Sequence, residues 1–512
     1  MSRLTRRSFL SMALGTTSLI ALPVSASINV PSTTPFRHAD VIERARTLAT
    51  KTFSHRPSVP EDWLNQSYDD YKARWFRTTD ALWADTDRSY NIDFFLPGLY
   101  FPRAVQVYSV TDGQIEHQPF NINLFEAHKR APDLSTEGNL GYSGIRLRTQ
   151  FNAPDKKNEF CVFQGASYFR AIGAEHAYGL SARGLALKTG DAEGEEFPEF
   201  TDFWLEAPAP GQKNMVVHAL MDSPSVSGAY RFNITPGTNC VMDVEATLFA
   251  RTELPHVGLG PLTSMFLYDD TNRHLFDDFR PAVHDSEGLL VKNGNGEILW
   301  RPLANPKHLQ ISSFVDENPQ GFGLMQRSRD LSDFADLEAH YHRRPSLWVE
   351  PLGDWGKGAV TLVEIPADKE IYDNIVAYWR PREPFAAGSE IKLSYRLTWG
   401  EEPDMVLPRV LNTASGEKIF GDPGRLMIVD FEASPLFADF VDGEEGEGIL
   451  DIHISSPHVE TTDGVLQRNP ETGGLRLAFS FDPGEQDHIE LRAQLRKDGA
   501  AASEVWLYRW TT

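Results

Sequence analysis

Between Tyr341 and Trp379 the chain concentrates side chains of the kinds that carbohydrate chemistry uses. They occur in Tyr341-His-Arg-Arg-Pro-Ser-Leu-Trp-Val-Glu-Pro351, in Asp354-Trp-Gly-Lys-Gly358, and in Val363-Glu-Ile-Pro-Ala-Asp-Lys-Glu-Ile-Tyr-Asp-Asn-Ile-Val-Ala-Tyr-Trp379. Sugar rings present apolar C–H faces that stack on Trp and Tyr, and hydroxyl rims that need charged or amide partners. Breaking a glycosidic bond further requires two carboxyl groups, one protonated and one ionised. The competing reading makes Trp348, Trp355 and Trp379 structural aromatics on successive strands, with the acids at the turns.

Other stretches carry weaker signals. Gly165-Ala-Ser-Tyr-Phe-Arg170 and Tyr178-Gly-Leu-Ser-Ala-Arg-Gly184 set an arginine among small residues, where a guanidinium can grip hydroxyls or orient a carboxylate. Arg170 and Arg183 read equally well as structural ion-pair partners. Asp285 lies at a polar step between Pro281 and Leu289-Leu-Val291, where a strand edge can present a carboxylate to a cleft or simply form a turn. Glu195-Glu-Phe-Pro-Glu-Phe-Thr-Asp-Phe-Trp204 alternates acids with aromatics and reads as a half-buried segment with solvated acids rather than as the lining of a cleft, and Gly294-Asn-Gly-Glu297 reads as a hairpin turn. His256, His274, His284, His340 and His342 form no metal-ligand spacing with a following catalytic Glu, so no metal is expected. No Gly-x-Ser-x-Gly nucleophile elbow occurs.

These residues need elements to hold them. Val41, Ile42, Ala45, Leu48 and Ala49 recur at helical spacing within Phe36 to Phe53, and a second helix is expected near Tyr68 to Trp75. From Ile92 the pattern becomes short β-runs separated by Gly, Pro, Asn or Asp, as in Val105-Gln-Val-Tyr-Ser-Val110 and Tyr230-Arg-Phe-Asn-Ile234. Gly400-Glu-Glu-Pro-Asp404 breaks this pattern and marks a domain boundary. About seven further strands follow, from Leu426 to Trp510, and read as an immunoglobulin-like sandwich. Gly443 to Gly448 reads as an acidic loop.

The chain has 512 residues and a formal charge of −23, with 72 acidic against 49 basic residues. That balance excludes a phosphate-neutralising nucleic-acid surface and disfavours an anionic membrane. Residues 1–26 read as an export signal, with a basic start, a short apolar run and a small-residue end at Ala26. Arg6-Arg7-Ser8-Phe9-Leu10 gives the signal a twin-arginine character. Removal of this leader leaves a chain expected to be soluble. Cys161 and Cys240 each sit in an apolar run and read as two buried thiols rather than a disulfide.

Several blocks together resemble the osmoregulated periplasmic glucan biosynthesis proteins. Among them are Ser167-Tyr-Phe-Arg-Ala171, Tyr178-Gly-Leu-Ser-Ala-Arg-Gly-Leu-Ala186, Pro261-Leu-Thr-Ser-Met-Phe266, Arg280-Pro-Ala-Val-His-Asp-Ser286, Arg344-Pro-Ser-Leu-Trp-Val-Glu-Pro351, Trp355-Gly-Lys-Gly358 and Asp373-Asn-Ile-Val376. The resemblance implies an all-β chain: a large galactose-mutarotase-like β-sandwich over 27–400, a linker over 401–408, and an immunoglobulin-like β-sandwich over 409–512. It implies a periplasmic protein, without a cofactor, that acts on the β-1,2-glucan backbone as an anomer-inverting endo-β-1,2-glucanase or a related transglycosylase. The twin-arginine start favours the family's D member over its G member.

By the same resemblance Asp373 is the general acid and Asp285 the general base, working through a chain of waters. Tyr341 and Glu370 lie at the substrate, and Trp348, Trp355 and Arg344 complete the expected binding set. Asp373 is expected to resist ionisation through burial or through neighbours such as Glu370, while Asp285 stays ionised. Two departures bear on the water relay or loop closure: the family's His-Asp-Ser-Asp ends in Glu287 here, and its Gln-Arg-Asp-Arg-Asp-Phe reads Gln326-Arg-Ser-Arg-Asp-Leu331. The alternative is a non-catalytic glucan-binding scaffold that assists synthesis. Contact with the membrane glucan synthase and homodimer formation are compatible with either.

Overall fold

Strong β-formers in unbroken buried runs build the centre of the molecule. Met215–Asp222 and Val226–Thr235 are buried along nearly their whole length, because one face meets a second sheet and the other lies under a helix. That helix, His38–Ala49, seats Val41 and Ala45 against Trp204, Leu220, Ala229 and Phe249. It is shorter than the periodicity predicts, since the chain beyond Ala49 turns extended before Pro57 and Pro60. The second expected helix is reduced to Tyr68–Lys72, capped by a reciprocal Ser67 and Asp70 pair, after which Arg74–Phe76 forms a short strand.

The computed structural model describes residues 35–152, 156–441 and 450–512. The leader 1–26 and the acidic loop from Gly443 to Gly448 lie outside the described residues. Among those described, the main sheets have ten, fifteen and four strands, and the chain is all-β and sandwich-like. The ten-stranded sheet carries Tyr168–Ala171, Ser181–Arg183, Val257–Ser264 and Ile375–Pro381 as neighbours. Its inner face, with Phe163 and Phe169, meets Phe232 of the fifteen-stranded sheet at ring separations of 5.1 Å. Cys161 and Cys240 are buried free thiols within this core.

The fifteen-stranded sheet continues into the C-terminal residues. Val505–Thr511 runs parallel to Ile298–Pro302, pairing Leu299 with Val505 and Trp300 with Trp506. A four-stranded sheet, built around Arg425–Phe431 and Leu475–Phe481, closes a second core over this extension. Trp348 belongs to that core together with Leu290, Trp300, Met325, Met427 and Phe431. Its ring takes the space a side chain at Gly321 would occupy, 2.1 Å from where a Cβ would stand. The expectation that Trp348 stacks on sugar is therefore corrected: burial between two sheets makes it a core residue.

Across the 401–409 segment, Arg327 donates to Glu402 (2.6 and 2.9 Å), to Glu504 (2.8 and 2.9 Å) and to the Val410 carbonyl (2.6 Å). Its guanidinium also lies 3.5 Å from the Trp300 ring centroid. This buried cluster ties the segment to the second core through Trp300 and Val410.

Candidate active site

The two candidate aspartates are positioned by one short piece of chain, Ser264 to Phe266. Val257–Ser264 carries a bulge between Leu259 and Leu262, where Pro261 lacks the N–H a regular ladder needs. Beyond the bulge Thr263 pairs with Val376 and Ser264 with Ile375. Asn374 then acts as a side-chain substitute for backbone pairing: its Oδ1 accepts from Phe266 N–H (2.8 Å), and its Nδ2 donates to the Phe266 and Ile365 carbonyls (2.9 and 3.1 Å). That clamp places Asp373. Asp285 donates its backbone N–H to the Met265 carbonyl (2.8 Å), and the next residue, Ser286, meets Ser264 hydroxyl to hydroxyl at 2.8 Å. Both carboxylates are thus referenced to adjacent residues.

Asp285 is 5% exposed and is gripped by Arg344 Nη1. Burial pushes its carboxyl up to about 6, opposed by Arg344 and reinforced by the nearby charge of Asp373. Arg170, on the strand Tyr168–Ala171, is among the cations that pull it back down. Asp373 itself is exposed, in the loop before Ile375–Pro381. The burial expected at Asp373 is therefore found at Asp285, a correction that follows from Asp373 lying on the loop side of the Asn374 clamp.

Tyr341 and Arg344 arrive on a short helical turn, Tyr341–Arg343, and the residue after it. Arg344 sits 4.4 Å from the Tyr341 ring centroid and donates to the Ala339 carbonyl (3.2 and 3.4 Å). Gly179 must be small here, since a Cβ would come within 3.0 Å of the Arg344 side chain. The buried Tyr341 donates its hydroxyl to Glu370 Oε2 (2.9 Å), which also accepts from Arg280 Nη1 (2.8 Å). Arg280 further holds Asp336 (2.8 Å) and, through Nε and Nη2, Asp278 (3.0 and 2.8 Å). Arg280, Asp278, Asp336 and Glu370 line a cleft of about 900 Å³, rimmed by the exposed Phe279 and Leu337.

The expected residues Asp285, Asp373, Arg344, Tyr341 and Glu370 are brought together. Trp355 is not. It packs on Phe322 and Tyr395 beside a separate groove with Asp354 and Lys392. Arg183 takes the structural alternative, buried and bonded to Glu195 and Thr263 (both 2.6 Å). Among the described residues no cluster of three or more His, Cys, Asp or Glu side chains is arranged to hold a metal ion.

Sequence reasoning missed Arg280 and Gln326 as organisers. Gln326 is buried, accepts from His284 Nδ1 (2.8 Å), and donates to the carbonyls of His284 (3.1 Å) and Tyr341 (3.2 Å). It thereby sets the spacing between the short strand Val283–His284, which leads into Asp285, and the turn bearing Tyr341. His284, stacked on Phe266, is kept neutral by burial, which lowers it to about 4. The available signal was that both residues fall within motif blocks. Gln326 reaches His284 across 42 residues and Arg280 reaches Glu370 across 90, so spacing alone does not reveal them.

The two departures from the family pattern touch each other. Ser328 donates its hydroxyl (2.7 Å) and its N–H (3.2 Å) to Glu287 Oε2. Burial pushes Glu287 up to about 7. A carboxyl raised by folding contributes stability that is full below its ordinary value of 4.5 and is lost as pH rises through about 7, on the order of 3 kcal/mol. Glu287→Gln is expected to flatten the fall in stability between pH 5 and pH 8, read by denaturant titration at each pH. An unchanged pH profile in that variant would remove Glu287 as a source of the slope.

The sheets and cleft define an all-β sandwich protein, and the chain belongs to the family described as periplasmic glucan biosynthesis protein, MdoG, whose model it matches over residues 36–510. Its relatives include glucans biosynthesis protein G of Vibrio cholerae serotype O1, 48% identical over 496 residues that cover 94% of this chain and 88% of that protein. The protein of the same name from Shewanella baltica is 46% identical over 489 residues, covering 94% and 89%. The family's name implies the periplasm, and among the described residues no helix is long and apolar enough to cross a membrane.

Proposed function

We propose that the chain is an anomer-inverting endo-β-1,2-glucanase, or a related transglycosylase, that acts on the backbone of periplasmic glucans. The observation that carries this reading is that Asp285 and Asp373 are both anchored on Ser264 to Phe266, and that Arg344 on Asp285 packs on Tyr341, whose hydroxyl meets Glu370 in the wall of the cleft. Asp373 protonates the leaving glycosidic oxygen, and a bound glucan chain covers it and supplies the desolvation that the free site lacks. Asp285 draws a proton from the attacking water through further waters, and Arg344 holds it ionised at neutral pH. Tyr341 and Glu370 orient the sugar between them. Purified protein incubated with β-1,2-glucan should lower its viscosity and generate new reducing ends.

A non-catalytic glucan-binding scaffold is the second reading, favoured by the exposure of Asp373 and by the biosynthetic name of the relatives. Binding alone changes neither viscosity nor reducing ends. The relatives carry the name of the G member, so a D-type role rests on the twin-arginine start alone. If that start directs export, Arg6→Lys with Arg7→Lys leaves precursor in the cytoplasm, seen on immunoblots of cell fractions; normal export would contradict a twin-arginine route.

A further inference from the structure

Away from the aspartates, a cavity of about 220 Å³ opens at the turn between Asn158–Gln164 and Tyr168–Ala171. Gly165 and Ala166 turn the chain there with φ of +78° and +44°. Arg56, Tyr100, Arg103, Gln164, Tyr168 and Glu199 line it, over a floor of core phenylalanines. Tyr168 and Arg170 are two residues apart on one strand and so share the face opposite the buried Phe169 and Ala171. Two residues rise roughly 7 Å along a strand. One strand face therefore runs from this cavity, at Tyr168, toward Asp285, on whose carboxyl Arg170 acts.

The lining has the chemistry of a neutral polyhydroxyl site. Tyr100 stands 72% exposed at the rim, so aromatic surface is available for the C–H face of a pyranose, while Tyr168, whose ring already carries the Arg183 guanidinium at 4.8 Å, forms a wall. Glu199 is fixed between two guanidinium groups, its Oε1 accepting from Arg103 Nη1 and its Oε2 from Arg56 Nη2, both at 2.9 Å. Arg103 is not saturated by protein, since its Nε–H is buried without an acceptor. Gln164, also in the lining, is held by donating Nε2 to Ser143 Oγ (2.9 Å). Fixed donors and acceptors side by side suit hydroxyls, whereas the Glu199 carboxylate opposes an anion.

We propose that this cavity is a distal subsite that binds one glucosyl unit of a chain whose reacting linkage lies at Asp285 and Asp373. The inference rests on β-glucan being the ligand, but not on its being cleaved. Its consequence is a preference for long chains, because only they reach both places.

The test is calorimetric titration of the whole protein with a long and a short fraction of β-1,2-glucan. Tyr100→Ala changes an exposed side chain and should leave folding intact. It is expected to weaken binding of the long fraction about fivefold, with short-fraction binding unchanged and Tyr100→Phe restoring the difference. Arg103→Gln should act in the same direction. Equal affinities of wild type and Tyr100→Ala for the long fraction, or equal losses for both fractions, would overturn the subsite. Wild type that binds long chains preferentially without cleaving them supports the subsite and sinks only the glucanase reading. Wild type that binds no β-1,2-glucan sinks both.

Discussion

Asp373→Asn and Asp285→Asn should each lower turnover of β-1,2-glucan by roughly 10²–10⁴ while glucan binding persists. An amide keeps the size and much of the hydrogen bonding of a carboxyl group but cannot exchange the proton. In the proposed mechanism the change at Asp373 removes the proton donor to the leaving oxygen, and the change at Asp285 removes the proton acceptor that Arg344 holds. The buried Asp285 carboxyl, raised to about 6, adds a pH signature: activity should fall as pH drops below about 6, where the base becomes protonated. Turnover measured from pH 4.5 to 8 should show that acid limb in wild type. Near-normal cleavage by either variant, with an unchanged unfolding midpoint, would remove that residue from the mechanism.

Arg327→Met should destabilise the protein by about 3–5 kcal/mol, the range found when one member of a buried ion cluster is removed. Arg327, Glu402 and Glu504 have side chains only 2%, 5% and 0% exposed, and the guanidinium is the cation between the two carboxylates. Without it both acids must stay buried without that cation or take up protons, and burial already pushes Glu504 upward. The Val410 carbonyl loses its donor as well. Denaturant unfolding at neutral pH reads the change. A loss below about 1 kcal/mol would show that the 401–409 segment is held to the second core by apolar packing instead.

Much of the β-architecture was legible because strand-forming runs and turn residues alternate from Ile92 onward, and the helix at His38–Ala49 declared itself through its spacing. Asp285 was visible as a polar step before an apolar strand, and Tyr341, Arg344 and Glu370 as neighbours in a motif-rich stretch. The failures have a common physical origin. Trp348 looks like a sugar platform until the C-terminal strands close over it, and no local pattern reports which face a distant segment covers. Trp355 lies close to Trp348 in sequence, yet it packs on Phe322 and Tyr395 beside a different groove. Asp373 was expected to be buried because the chemistry proposed for it asks for a held proton, but its place on a loop leaves it exposed. The Arg280 hub with Asp278, Asp336 and Glu370 exists only in three dimensions, its members spread over 92 residues from Asp278 to Glu370.

The configuration of the first product tests the proposed chemistry most directly. Purified wild-type protein, mixed with linear β-1,2-glucan in a spectrometer, should release new reducing ends that appear first as the α-anomer and then mutarotate, as inversion at a β-linkage requires. Release of the β-anomer first, or no new reducing ends at all, would contradict it.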